Sequence, residues 1–141
     1  MQIGVETSRA VENKRLFVVD DDEITRAALQ FMLHDENETH EVPDVETALR
    51  KSADMKPDVI LLGAGLVRQD GIAVVALLKD RIPGVKLLLV ADSSSDSLVN
   101  ECRENGADAV LMKPITIEAT RKQVNRLLGR HTRTVIPIYG L

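Results

Sequence analysis

The chain has 141 residues, 44% of them apolar and 28% charged, with a formal net charge of −4. That length suits one domain that can bury a core without covalent staples, and the composition is that of an ordinary soluble globular protein. Only Phe17, Phe31 and Tyr139 are aromatic and Cys102 is the only cysteine, which argues against base-stacking platforms for single-stranded nucleic acid, an intrachain disulfide and a cysteine-based metal cluster.

The single thiol points to a reducing compartment. No apolar run approaches the roughly 20 residues that cross a bilayer, and residues 1–6 lack the charged-then-apolar form of a signal peptide. The cytoplasm is therefore the expected location, with no membrane partner. Charge is uneven along the chain. Residues 20–23 and 35–41 are acidic, whereas Lys113, Arg121, Lys122, Arg126, Arg130 and Arg133 face only Glu118. A basic face can meet nucleic acid or an acidic partner, but a solvated helix face accounts for it more simply. Nucleic acid is not the expected partner.

Residues 1–13 are polar and read as a loosely held arm, ahead of a domain over 14–129. Arg15-Leu16-Phe17-Val18-Val19 is an apolar, β-branched run that stops in Asp20-Asp21-Asp22-Glu23, the pattern of a buried strand ending in acid. Residues 24–34 follow as a helix, with an apolar stripe of Ile24, Ala27, Ala28, Phe31 and Met32 and with Asp22 placed to cap it. A short strand over 39–42 leads to a second helix that Asp44 caps.

Next comes Pro57-Asp58-Val59-Ile60-Leu61-Leu62-Gly63, an apolar run that reads as a strand buried on both faces. Residues 64–71 are rich in glycine and polar groups and read as a loop, ending in an Asp70-Gly71 turn. Beyond it lie a helix over 72–81, a buried strand over 85–90, a helix over 98–105 stopped by Gly106, and a strand over 108–112. A last helix, capped by Thr116, runs to Leu128 and is closed by Gly129. Strand and helix alternate five times with short connections. Right-handed crossovers then give a single α/β domain, a doubly wound parallel sheet with helices on both faces. Residues 130–141 fall outside the pattern, as an apolar tail or linker carrying Tyr139.

In such a sheet, ligands sit at the carboxyl ends of the strands. Asp20 and Asp21, Gly63, Val90 and Ala91, and Lys113 converge there. Two adjacent carboxylates beside a lysine suit Mg²⁺ with waters and a phosphate; equally, an acidic pair simply favours the start of a helix. Spacing alone leaves both readings open.

The pieces Leu16-Phe17-Val18-Val19-Asp20-Asp21-Asp22, Pro57-Asp58, Asp70-Gly71, Ala91, Gly106-Ala107 and Lys113-Pro114 together resemble the receiver domain of bacterial two-component response regulators, over residues 14–129. The resemblance implies a flavodoxin-like (βα)5 fold with strand order 2-1-3-4-5. It also implies an aspartate at the end of the third strand that takes a phosphoryl group from a histidine kinase, with Mg²⁺ bound alongside. Counting back from Asp70 by the family's spacing lands on Gly63. The family's loop proline is here Val67, its phosphoryl-reading hydroxyl is Val90, and its switching aromatic is Val110.

Glycine offers no nucleophile for phosphoryl transfer, and valine cannot hydrogen-bond a phosphoryl oxygen. The loss of one carboxylate also weakens a metal site on Asp20 and Asp21. Lys113, released from its usual partner, is then expected against Asp20 or Asp21 in the metal's place. Asp58 lies at the wrong end of the sheet for a substitute acceptor; Asp70 is expected to cap the helix that follows it; Asp92 reads as a loop residue, and Ser93 to Ser97 as helix-capping serines. His34, His40 and His131 form no catalytic unit with Cys102 or a serine. No enzymatic activity and no required cofactor are expected.

The leading expectation is a degenerate receiver that works by phosphorylation-independent protein contact. The alternative is a working receiver with a non-standard acceptor and Mg²⁺. The resemblance places the partner face on the fourth expected helix, fifth strand and last helix: Leu98, Val110, Met112, Arg121, Lys122 and Arg126. A kinase, another regulator, an output protein or a second copy of the chain are the candidate partners.

Overall fold

The computed structural model describes residues 13–92 and 96–130. Five strands, β1 (Arg15–Val19), β2 (Glu38–Val42), β3 (Val59–Gly63), β4 (Lys86–Ala91) and β5 (Ala109–Met112), form one parallel sheet in the order β2-β1-β3-β4-β5. The helices are α1 (Glu23–Leu33), α2 (Val45–Ser52), α3 (Ala64–Asp70), α4 (Ala73–Arg81), α5 (Asp96–Glu104) and α6 (Ile117–Leu127).

Strand alternation divides the core between the two faces of the sheet. Phe17, Val19, Ile60, Leu62, Leu87 and Leu89 point to one face, where α2, α4 and α5 supply Val45, Ala48, Val75, Leu78 and Cys102. Leu16, Val18, Val59, Leu61, Leu88 and Val90 point to the other, against Leu29 and Leu33 of α1 and Val124 of α6. All five residues of β3 are buried, as expected for a central parallel strand.

Side-chain caps fix the starts of α2 and α6. The Asp44 carboxylate accepts from Thr47 N–H at 2.7 Å, and the Thr116 hydroxyl from Ala119 N–H at 3.1 Å. Asp22 does occupy the position before α1, but its carboxylate accepts from the Thr25 hydroxyl rather than from a backbone N–H.

Three sequence expectations are corrected. Residues 64–70 form a helix, not a loop: Ala64, Leu66 and Val67 are buried in the core, and that burial overrides the weak propensity of the glycine and polar residues beside them. Gly71, at φ 101°, ends the helix in a conformation only glycine adopts freely. Asp70 is consequently the last residue of α3 and does not cap α4, which starts after Ile72 without a side-chain cap. Finally, the apolar stripe of α1 is its core face only in part: Met32 packs against the core and Ala28 is half-buried. Thr25, Leu29 and Leu33 are buried, while Ile24 and Phe31 stand 80% and 69% exposed.

At the amino end of the sheet, the Arg15 Nε donates to Glu38 at 2.6 Å and His40 Nε2 lies 2.7 Å from the same carboxylate oxygen. The Arg15 bond, then the His40 bond, holds the Glu38 carboxyl down to about 2. A lowered carboxyl pKa adds stability above the ordinary carboxylate range and loses it as pH falls toward the folded value. Glu38→Gln is therefore expected to be less stable at neutral pH, by under about 1 kcal/mol for a half-exposed pair. Its deficit should vanish between about 4.5 and about 2 in pH-dependent melting. Leu66→Ala is expected to cost about 3 kcal/mol in denaturant unfolding; a cost below about 0.5 kcal/mol would return residues 64–70 to the surface.

Candidate functional site

At the carboxyl end of the sheet, β1 delivers Asp20 and Asp21, β3 delivers Gly63, β4 delivers Val90 and Ala91, and β5 leads into Lys113. Gly63 and Val90 are register partners on neighbouring strands. Val90 and Ala91 are both buried. Parallel pairing thus places every pocket residue expected from the sequence on one rim.

Asp20 is the group that fills the centre. Its side chain is among the few buried polar ones, with only 5% of the residue exposed. A Cβ built on Gly63 would land on the Asp20 carboxyl, 2.6 Å from its Cγ and closer still to Oδ2. A Cβ at that distance would require the Asp20 carboxyl, the end of a short side chain, to turn aside, so with glycine at position 63 that carboxyl fills the space above it. The Asp22 N–H donates to Asp20 Oδ1 at 2.9 Å. Burial pushes the Asp20 carboxyl above the usual carboxylate range, and the Asp22 N–H and the charge of Lys113 pull in the opposite direction. Arg26 closes this corner from α1, its Nη1 donating to the Asp20 backbone carbonyl at 2.7 Å.

Asp21 is exposed and faces Gly65 at the start of α3, where an added Cβ would stand 3.6 Å from its Oδ1. Lys113 does not lie against either carboxylate. Its ammonium reaches the Thr25 hydroxyl at 3.5 Å and makes no ion pair among the described residues, which corrects the expectation that it would seat on Asp20 or Asp21. The reason lies in α1: buried Thr25 sits between Asp22, to which its hydroxyl donates, and Lys113. Sequence reasoning passed over Thr25. Its place three residues after a capping aspartate was the available signal.

Asp20 and Asp21 are the rim carboxylates that would hold Mg²⁺, which takes one or two carboxylates together with waters and a phosphate; in this arrangement the Asp20 carboxyl is packed over Gly63 with one oxygen accepting from the Asp22 N–H. Among the described residues no group of three His, Cys, Asp or Glu side chains is arranged to hold a metal.

The other candidates are scattered. Asp58 accepts from Arg15 N–H at 2.8 Å at the amino end of the sheet, far along the strands from Gly63. Asp92 follows β4 and is half-buried. Ser93, Ser94 and Ser95 lie outside the described residues, as do His131, Arg133 and all of the expected arm and tail except Asn13 and Arg130. On the expected partner face, Met112, Lys122 and Arg126 are exposed, whereas Leu98 and Val110 are half-buried against the core. Arg121 turns to α1 instead, bonding the Met32 carbonyl at 2.9 Å and Asp35 at 3.0 Å.

Residues 16–125 match the family described as the response regulator receiver domain. The chain belongs to that family. It is 32% identical over 123 residues to the alkaline phosphatase synthesis transcriptional regulatory protein PhoP of Bacillus subtilis, covering 84% of this chain and 50% of that protein. It is 34% identical over 126 residues to the transcriptional regulatory protein PrrA of Mycobacterium leprae, covering 88% of this chain and 54% of that protein. The receiver domain of NtrX from Brucella abortus superposes with a TM-score of 0.75 at 25% identity, covering 81% of this chain and 98% of the other. The receiver thus spans about half the length of these curated relatives. Most matched relatives are regulators by name, although a phosphodiesterase and a methylesterase are among them. No helix among the described residues is long and apolar enough to cross a membrane.

The steric statement about Gly63 can be measured in a double-mutant cycle. Gly63→Ala alone is expected to cost about 1–3 kcal/mol, as an overpacked site. Combined with Asp20→Ala it should cost less than the two changes summed, with a coupling above about 0.5 kcal/mol. Additive costs in denaturant unfolding would mean that the Asp20 carboxyl does not sit over Gly63.

Proposed function

We propose that this receiver of a two-component response regulator is a pseudo-receiver: it takes no phosphoryl group, holds no resident Mg²⁺ and acts by protein–protein contact in the cytoplasm. The observation that carries the reading is the Asp20 carboxyl packed on Gly63. A phosphoryl acceptor at that position needs a side chain; glycine offers none, and the Asp20 carboxyl fills the space above it.

Three further features support it. Gly63 has no nucleophile to attack phosphorus. Its register partner Val90 has no hydroxyl to bond a phosphoryl oxygen. Val110, on β5, is half-buried and has no ring to exchange between inward and outward positions. Without covalent chemistry, its signalling state is set by differential affinity of partners for its conformations. The partner face is formed by α5, β5 and α6, with Met112, Lys122 and Arg126 as its exposed members and Leu98 and Val110 behind them. Arg121 contributes by fixing α6 to α1. A kinase, a second regulator, an output protein or a second copy fits such a face.

The test is incubation with acetyl phosphate and Mg²⁺, followed by intact-mass measurement, with beryllofluoride titration followed by NMR alongside. The expected result is no adduct and no saturable spectral change. A stoichiometric phosphoryl adduct would instead support a working receiver with a non-standard acceptor. Gly63→Asp is expected to raise Mg²⁺ affinity only if Asp20 is displaced, and to leave the switch inert because Val90 remains.

A further inference from the structure

The amino end of the sheet, opposite the rim, carries a cavity of its own. Each helix of a parallel α/β sheet runs back against its strands, so the last turns of α2 and α4 come out beside the starts of β3 and β4. The two helices pack on the same face of the sheet. Between their ends lies a cavity of about 230 Å³, floored by Leu49, Ala53, Ile82 and Pro83.

Its walls are set by backbone bonds. Beyond α2, Met55 N–H donates to the Lys51 carbonyl at 2.9 Å; beyond α4, Val85 N–H donates to the Ile82 carbonyl at 3.1 Å across Pro83-Gly84. Gly84, at φ 85°, permits that second turn. The Lys56 carbonyl accepts from Arg15 Nη1 at 3.3 Å, which ties the first wall to β1. The cavity is thus formed before any ligand arrives, as small-molecule sites usually are.

Among the described residues two cations line it, Lys56 and Arg81, and no acid does. Neither makes an ion pair among those residues. A cation at a helix end ordinarily just balances the last carbonyls, which accounts for Arg81, the final residue of α4. Lys56 is different. It lies beyond the end of α2, and its ammonium approaches the other wall, 3.8 Å from where a Cβ on Gly84 would stand. Ser52, the remaining lining residue, donates its hydroxyl proton to the Leu49 carbonyl at 2.7 Å and adds no donor to the site. Two positive heads above an apolar floor ask for a ligand with an anionic end and an apolar body. The volume is below the roughly 300–1,000 Å³ of drug-sized pockets, so that body is compact.

We propose that the cavity between the ends of α2 and α4 binds a small apolar carboxylate. Its anion is held by Lys56 and Arg81, and its body rests on Leu49, Ala53, Ile82 and Pro83. The proposal is independent of the phosphorylation reading, since no residue of the β3 rim takes part.

Benzoate titrated into the full chain, followed by methyl NMR, tests it, with acetate and benzyl alcohol as partial ligands. Benzoate should shift the Leu49, Ala53 and Ile82 methyls saturably, with a Kd on the order of 1 mM. The Val90 methyls, at the opposite end of the sheet, should stay in place. Acetate lacks the body and benzyl alcohol the charge, so each should bind at least about tenfold more weakly. Lys56→Gln/Arg81→Gln, both at exposed positions, should weaken benzoate to the level of benzyl alcohol. No saturation by about 20 mM, equal affinity for either partial ligand, or unchanged affinity in the double variant would overturn the proposal. Benzoate shifts spread equally over both ends of the sheet would overturn it as well.

Discussion

With glycine at the end of β3, the Asp20 carboxyl fills the volume that a side chain there would take. The rest of the rim is consistent with that constraint. With Gly63 lacking a Cβ, the Asp20 side chain packs inward from β1 and becomes nearly inaccessible. Burial raises the cost of its charge, which the Asp22 N–H and the nearby Lys113 partly offset. Lys113 rests near Thr25 on α1, where its charge acts on Asp20 and Asp22 without forming an ion pair among the described residues.

The scaffold that holds this arrangement is ordinary for its family, and that is why the departure is readable. Parallel pairing of β3 with β4 sets Gly63 opposite Val90. Alternation along β3 sends Ile60 and Leu62 to one helical layer and Val59 and Leu61 to the other. A change in chemistry at the strand's last residue therefore leaves the packing of the preceding four untouched. The fold holds glycine at that residue without losing its core.

Much of this was legible in the sequence. The β1 run ended where its acid began, and Asp44, Thr116, Gly106 and Gly129 marked helix ends by local chemistry that needs no tertiary context. The strand order came from the family resemblance, not from the residues themselves. What could not be read was decided by tertiary burial. Residues 64–70 look like a loop because Gly65, Arg68, Gln69 and Asp70 dominate the composition, yet Leu66 and Val67 find the core. On α1 the apolar spacing pointed to Ile24 and Phe31, but buried Thr25, tied to Asp22 and close to Lys113, rotates the core face to Leu29 and Leu33. The place of the Asp20 carboxyl was likewise invisible, because no local rule states where an aspartate turns when its neighbour across the sheet has no side chain.

The central claim concerns where one carboxyl group sits when a divalent cation is offered. A high-resolution crystal structure of the protein grown in excess Mg²⁺ measures this directly. The account predicts the Asp20 carboxyl packed over Gly63 and no six-coordinate ion between Asp20 and Asp21. An octahedral Mg²⁺ at about 2.1 Å from both carboxylates, with Asp20 swung away from Gly63, would contradict it.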